Sequence, residues 1–265
     1  MGDWLLNLPV PWMALVVFVA TYLTAGSIYL VVTRLAVNGR AKAFKAVSPG
    51  MLSPLGILFA LLVGFIAVDV WNNFDKAKAA VATEASALRA VVLLAGTFPE
   101  EQKTRIYALI KRHIDQAVNE EWPAMAQRRA TLSTLPMALV EELHDTLTFK
   151  AADDSQRVAQ PEMVKALHTA LDARRQRIVI SESTVGGVKW VGILLQGLCT
   201  LVAIAMVHSD NRLTCAITLT LFATGIALSV LLIAAYTHPF TGETSVGPEL
   251  LKQVIASEAT TGTSR

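Results

Sequence analysis

The residues that could carry chemistry in this chain are few, and most stand apart from one another. Five histidines occur, at His113, His144, His168, His208 and His238, without a His-Glu-x-x-His pair or a Cys/His spacing that would close around zinc. One Glu-x-x-His step, Glu141 to His144, places two side chains on one helix face. A di-iron bundle needs two such steps and two more carboxylates, and there is no second copy, so the pair reads as a solvated face. Phosphate-cradling glycine loops and the GxSxG nucleophile turn are missing as well. No catalytic set, metal or cofactor is expected. The basic run Arg174-Arg-Gln-Arg177 reads mainly as solvated helix surface, with lipid headgroups or an acidic partner helix as the functional alternative.

The second apolar stretch offers a different kind of chemistry. In SPLGILFALLVGFIAVDVWNNF, a spacing of four aligns Ile57, Leu61 and Phe65, then Asp69, then Asn73. A constriction that closes by dewetting, followed by a hydrated vestibule, needs this order of residue types. A carboxylate at the end of a spanning helix usually faces a bundle interior or water. The stripe turns by about 40° per step on a straight helix, so tilt or supercoiling must keep it on one axis. Apolar residues at this spacing are also what ordinary core packing produces.

Four apolar stretches position everything else: residues 10–32, 51–70, 188–207 and 213–236. Each reaches the roughly 20 residues that a helix needs to cross a bilayer. Composition agrees, with 53% hydrophobic residues, only 17% charged and a mean hydropathy of +0.48. The net charge of +2 is too small to suggest nucleic acid. Cys199 and Cys215 fall within the last two stretches and read as small apolar side chains. The start lacks a basic leader and reads as a retained membrane helix. The expected fold is therefore all-α: a first hairpin over 1–70, a helical water-facing domain over 71–187, a second hairpin over 188–236 and a C-terminal segment over 237–265.

Within the central domain, the second span is expected to continue unbroken to about Leu94 through an alanine-rich run. A helix should restart at Thr97-Phe-Pro99-Glu100, with Thr97 as its cap, and break at Trp122-Pro123. Another should start at Ser133-Thr-Leu-Pro136 and end near Phe149. Residues 150–160 read as a loop, and Pro161 as the opening of a last helix through Ile180. Short-loop positives favour residues 34–50 in the cytoplasm, yet Arg34, Arg40, Lys42, Lys45 and Arg212 on that side face eight basic residues near the membrane ends opposite, so orientation is open on charge alone.

Two segments carry a family resemblance. Ser53-Pro-Leu-Gly56 through Val63-Gly64-Phe65, followed by Trp71-Asn-Asn, resembles the second span of bestrophins, whose neck carries a Gly-Phe pair after apolar residues every four. His238-Pro239-Phe240-Thr-Gly242, then Gly247-Pro-Glu-Leu-Leu251, resembles the bestrophin Asn-Pro-Phe-Gly segment and the helix after it. Over most of its length the chain resembles the bestrophin-like family of bacterial and plant membrane proteins. The resemblance implies a homopentameric channel for small monovalent ions, with membrane lipid, inorganic ions and its own copies as partners. It places the neck on Ile57, Leu61 and Phe65 and a post-span motif on Pro239, Phe240 and Gly242; the spacing of four adds Asp69 and Asn73 as the vestibule. It also implies a plasma (bacterial inner) membrane location with the central domain cytoplasmic. The rival reading is a non-conducting scaffold or sensor whose helical domain binds a partner. The acidic calcium clasp of animal members is not reproduced here: after Phe240 only Glu243 stands nearby. A ring of Asp69 carboxylates beside the neck leads to an expectation of cation preference.

Overall fold

Apolar runs of this length bury their backbone hydrogen bonds only as helices, and the chain is helical in every regular element described. The computed structural model describes residues 8–36, 43–44 and 49–259. The helices are α1 (Val10–Leu35), α2 (Pro49–Ala95), α3 (Glu100–Gln116), α4 (Trp122–Ala126), α5 (Met137–Thr148), α6 (Asp154–Glu182), α7 (Gly187–Val207), α8 (Arg212–Tyr236) and α9 (Glu249–Ala259). A π turn, Ala117–Glu121, joins α3 to α4. Arg40, Lys42 and Lys45 lie outside the described residues; Arg34 closes α1.

Two compact units emerge. The first comprises residues 1–72, 184–238 and 242–244. Its four helix segments are long and apolar enough to cross a membrane. Its core joins Val17, Ala25 and Ile28 of α1 with Ile66 of α2, Ile193 and Ile204 of α7, and Ala223 and Ala227 of α8. Without a strong hydrophobic drive between helices in lipid, close approach at small residues holds such bundles together. Gly197 shows this: a Cβ there would sit 3.5 Å from the Ile226 side chain. Polar contacts add to it, with Tyr22 and Thr224 hydroxyls 2.9 Å apart and Gln196 Nε2 donating to the Leu55 carbonyl at 3.1 Å. Cys199 is exposed, Cys215 is buried, and both are free thiols.

The second unit comprises residues 73–183, 239–241 and 245–265. The later part of α2 buries Ala77, Ala80, Val81, Glu84, Leu88, Val91 and Ala95 along one face, the three-and-four spacing of an amphipathic helix. Ile106, Ile110 and Ile114 of α3, Leu139 of α5, and Met163, Leu167 and Ile178 of α6 close over it. Leu251 and Val254 of α9 complete the core.

Local expectations are corrected in three places. Thr97 does not cap α3: its hydroxyl donates back to the Leu94 carbonyl at 2.8 Å, and Pro99 takes the cap position without a side-chain bond. Trp122-Pro123 does not break the chain. The proline sits in the first turn of α4, where its missing N–H matters least, and the π turn absorbs the change of register. Pro161 does not open α6. The helix begins at Asp154 because the Asp153 carboxylate accepts the Gln156 N–H at 2.8 Å, and it runs straight through Pro161 at the loss of one backbone bond.

Candidate functional site

The second span is the least covered of the four. Only 6% of its most apolar window is buried inside the subunit, against 22–39% for the other spans. Its inward side presents Ile66 and Val70, with Phe59, Leu62 and Val63 half-buried beside them. Its outward side presents Ile57, Leu61 and Phe65, which are 58%, 51% and 73% exposed. Core packing within the subunit therefore does not account for the stripe. Its apolar surface is left for lipid, a pore or a neighbouring copy.

Asp69 is not a bare carboxylate. Lys189 of α7 reaches it, Nζ to Oδ2 at 2.6 Å, and both side chains are half exposed. The progressive turn of a four-residue stripe explains the meeting: by Asp69 the helix has rotated away from Ile57 toward α7. Asn73 falls in the second unit and is half-buried there.

The post-span motif is fixed at each of its members. Within the second unit, the Phe240 ring meets Trp122 edge-on at 6.0 Å, the Pro239 carbonyl accepts the Val246 N–H at 2.7 Å, and Thr241 Oγ1 donates to the Ala126 carbonyl at 2.9 Å. Trp122 Nε1 in turn donates to the Val246 carbonyl at 3.0 Å. Gly242 has φ +85°, the left-handed region that glycine enters without a Cβ penalty. Within the membrane unit, Thr244 Oγ1 donates to the Ala235 carbonyl at 3.0 Å.

A buried ionic network in the second unit is not legible as a site in the sequence. Arg177 has no exposed side-chain surface and binds Glu84 through Nε at 2.9 Å and Nη2 at 3.2 Å. Its Nη2 also reaches Glu121 at 2.8 Å, and its guanidinium lies over the Trp122 ring, 4.4 Å from the centroid. Arg174 grips Glu121 at 2.6 Å. His113 Nε2 donates to Glu84 at 3.0 Å. The reading of Arg174–Arg177 as solvated surface is thus corrected for two of its arginines: only Arg175 is largely exposed. Burial alone would raise the Glu84 carboxyl, but the Arg177 and His113 charges and hydrogen bonds outweigh it and hold the group at about 2. Arg177 is raised above its ordinary value; burial opposes this, and Glu84 and Glu121 overcome it.

The Glu141–His144 step is a surface feature, with Glu141 paired to Arg105 and Arg112 and His144 exposed. Glu142 beside it points inward instead. It is 1% exposed, and burial pushes its carboxyl up to about 7. A folded value raised above the ordinary 4.5 means that the native state holds the proton more tightly than the unfolded chain. Stability is therefore highest below about pH 4.5 on this account and falls as pH rises toward 7. Glu142→Gln is expected to stabilise the fold at about pH 8 by on the order of 3 kcal/mol, read as a higher unfolding temperature, and to change little near pH 4.5. Equal effects at both pH values would contradict this.

The Bestrophin-like domain model matches residues 19–251 of the 265. Among solved structures, the fold resembles that of a mutant bacterial bestrophin homologue from Klebsiella pneumoniae, with TM-score 0.66 and 14% identity over 96% of this chain and 99% of that one. A second mutant of that homologue gives 0.66 and 15% over 93% and 98%. A mutant membrane-protein crystal structure gives 0.69 and 13% over 95% and 99%. No curated protein matches the sequence.

Proposed function

Because the chain belongs to the bestrophin-like family, we propose that five copies surround an axial pore lined by the second span and conduct small monovalent ions. Ile57, Leu61 and Phe65 form the neck, with Asp69 and Asn73 beyond it. The pore crosses the plasma membrane, the inner one in a bacterium, and the water-facing unit lies in the cytoplasm. The observation that carries this reading is the exposed stripe on the least covered of the four spans. Lipid contact alone gives no reason for the stripe to lead directly into Asp69 and Lys189. A ring of second spans leaves a narrow apolar passage that admits ions only when wet. Particle imaging in nanodiscs tests the assembly. Five-fold rings are expected, with a cysteine at Glu141 protected from impermeant label outside intact cells. Monomers or two-fold dimers would remove the pore.

Selectivity in this reading belongs to the Asp69–Lys189 pair rather than to carboxylates alone. Asp69→Asn leaves Lys189 without its partner, so the permeability ratio is expected to move toward anions by roughly threefold or more, the change that ~0.7 kcal/mol makes. Asp69→Asn combined with Lys189→Met should return the reversal potential close to that of the wild type. Reversal potentials under a salt gradient that ignore Asp69→Asn would take this residue out of the conduction path.

A further inference from the structure

The second unit carries an open cavity of about 360 Å³ that the conduction pathway does not use. It lies among α3, α5 and α6 and the segments before α3 and after α5. One wall is apolar: Phe98, Ile106, Phe149 and Met163. Phe98 and Phe149 form a tilted ring pair with centroids 5.1 Å apart. The other wall presents oxygen. Glu142, 1% exposed, accepts the Thr146 hydroxyl at Oε1 (3.0 Å), but its Oε2 finds no partner in the protein. Gln102 Oε1, from the first turn of α3, is buried without a partner too. Asp145 Oδ2 has Arg105 Nε at 2.7 Å.

Once Glu142 ionises, its buried oxygen and that of Gln102 are acceptors without donors, costly by on the order of 1–3 kcal/mol each, and such a site is completed by a ligand rich in N–H. A volume near the lower bound of small-molecule pockets and an aromatic wall set the remainder of its shape. We propose that this cavity binds a small primary ammonium ion bearing an aryl or branched apolar group, its N–H groups on Glu142 and Gln102 and its apolar body against Phe98 and Phe149. The cations already present do not serve that role. Arg105 is drawn outward to Asp145 and Glu141, and Lys150 at the rim is exposed. Met163, the lining residue from α6, carries no charge. Burial is the main influence on the ionisation of Glu142 and the Thr146 hydroxyl the next; the charged groups that act on it are Asp145 and Glu141 on its own helix and Arg105 on α3.

Calorimetry on the full chain in nanodiscs, with phenethylammonium chloride as the probe, tests the site. Binding is expected, with phenethyl alcohol and trimethyl-phenethylammonium at least tenfold weaker, since neither offers a charged N–H. Affinity should rise severalfold between about pH 6 and pH 8, because the cation recruits the ionised form of Glu142 and releases its proton. Glu142→Gln should lose tenfold or more and flatten that pH dependence. Gln102→Leu, at a half-buried position, should lose severalfold while keeping it. Either variant eluting and melting as a folded protein yet binding like the wild type would overturn the assignment. So would no heat at millimolar probe, or equal affinity for the alcohol, which would make the cavity an apolar void only.

Discussion

Replacing Ile57, Leu61 and Phe65 together with alanine is expected to raise unitary conductance or resting leak by roughly tenfold, the change that ~1.4 kcal/mol off a barrier makes. An apolar ring blocks ions because stripping their water inside it is unfavourable, and shrinking its side chains both widens the passage and keeps it wet. The same substitutions in a packed core would each cost on the order of 2–5 kcal/mol of stability. These three side chains are more than half exposed in the subunit, so the subunit fold should survive with little loss. Conductance measured beside a thermal melt separates the readings. A large rise in current with a nearly unchanged melt fits a neck, whereas a collapsed melt or unaltered current returns the stripe to packing between copies or against lipid.

The largest stability effect is expected from Arg177→Met. That change leaves Glu84, which has no exposed surface, with His113 as its remaining partner, and it also removes one of the two arginines on Glu121. Stranding a buried charge costs roughly 3–5 kcal/mol, a drop of about 10 °C in unfolding midpoint for a domain of this size. Combining it with Glu84→Gln should recover much of the loss, since the charge that needed a partner is gone as well. The acid side carries a second signature. A folded value of about 2 for Glu84 against an ordinary 4.5 gives stability that is present above pH 4.5 and lost as pH falls toward 2. Removing Glu84 should make the melt less sensitive across that window. Exposed pairs such as Lys103–Glu100 offer the contrast, because their removal should change stability by under about 1 kcal/mol.

The spans were readable because a bilayer demands length and apolarity, both of which are local properties. The continuation of α2 to Ala95 was readable for a similar reason: alanines and a three-and-four stripe make helix without help from elsewhere. The ionic network was not, because the same arginine run can be solvated or buried depending on what faces it. A trace of it exists in hindsight. Ala170, Ala173, Arg174, Arg177 and Ile178 share one helix face, an unusual neighbourhood for charges that stay in water. Glu84 likewise sits mid-stripe between Val81 and Leu88. The start of α6 was missed because Pro161 is a louder signal than Asp153, yet the aspartate's side-chain bond to Gln156 is what begins the helix. Asp69 was legible as a charge beside the stripe; its partner Lys189, far along the chain, was not.

Current through the purified protein in a planar bilayer, carrying Phe65→Cys in a C199A/C215A background, tests the central claim most directly. The two native thiols are removed because both are free. A bulky cationic methanethiosulfonate added to the bath should then label a ring of cysteines at the neck. Ion currents are expected to fall sharply on labelling, to stay low after washout, and to return when a thiol reductant removes the adduct. Currents that persist with position 65 fully labelled would place conduction elsewhere, and a folded, labelled protein that passes no current in any form would contradict the channel itself.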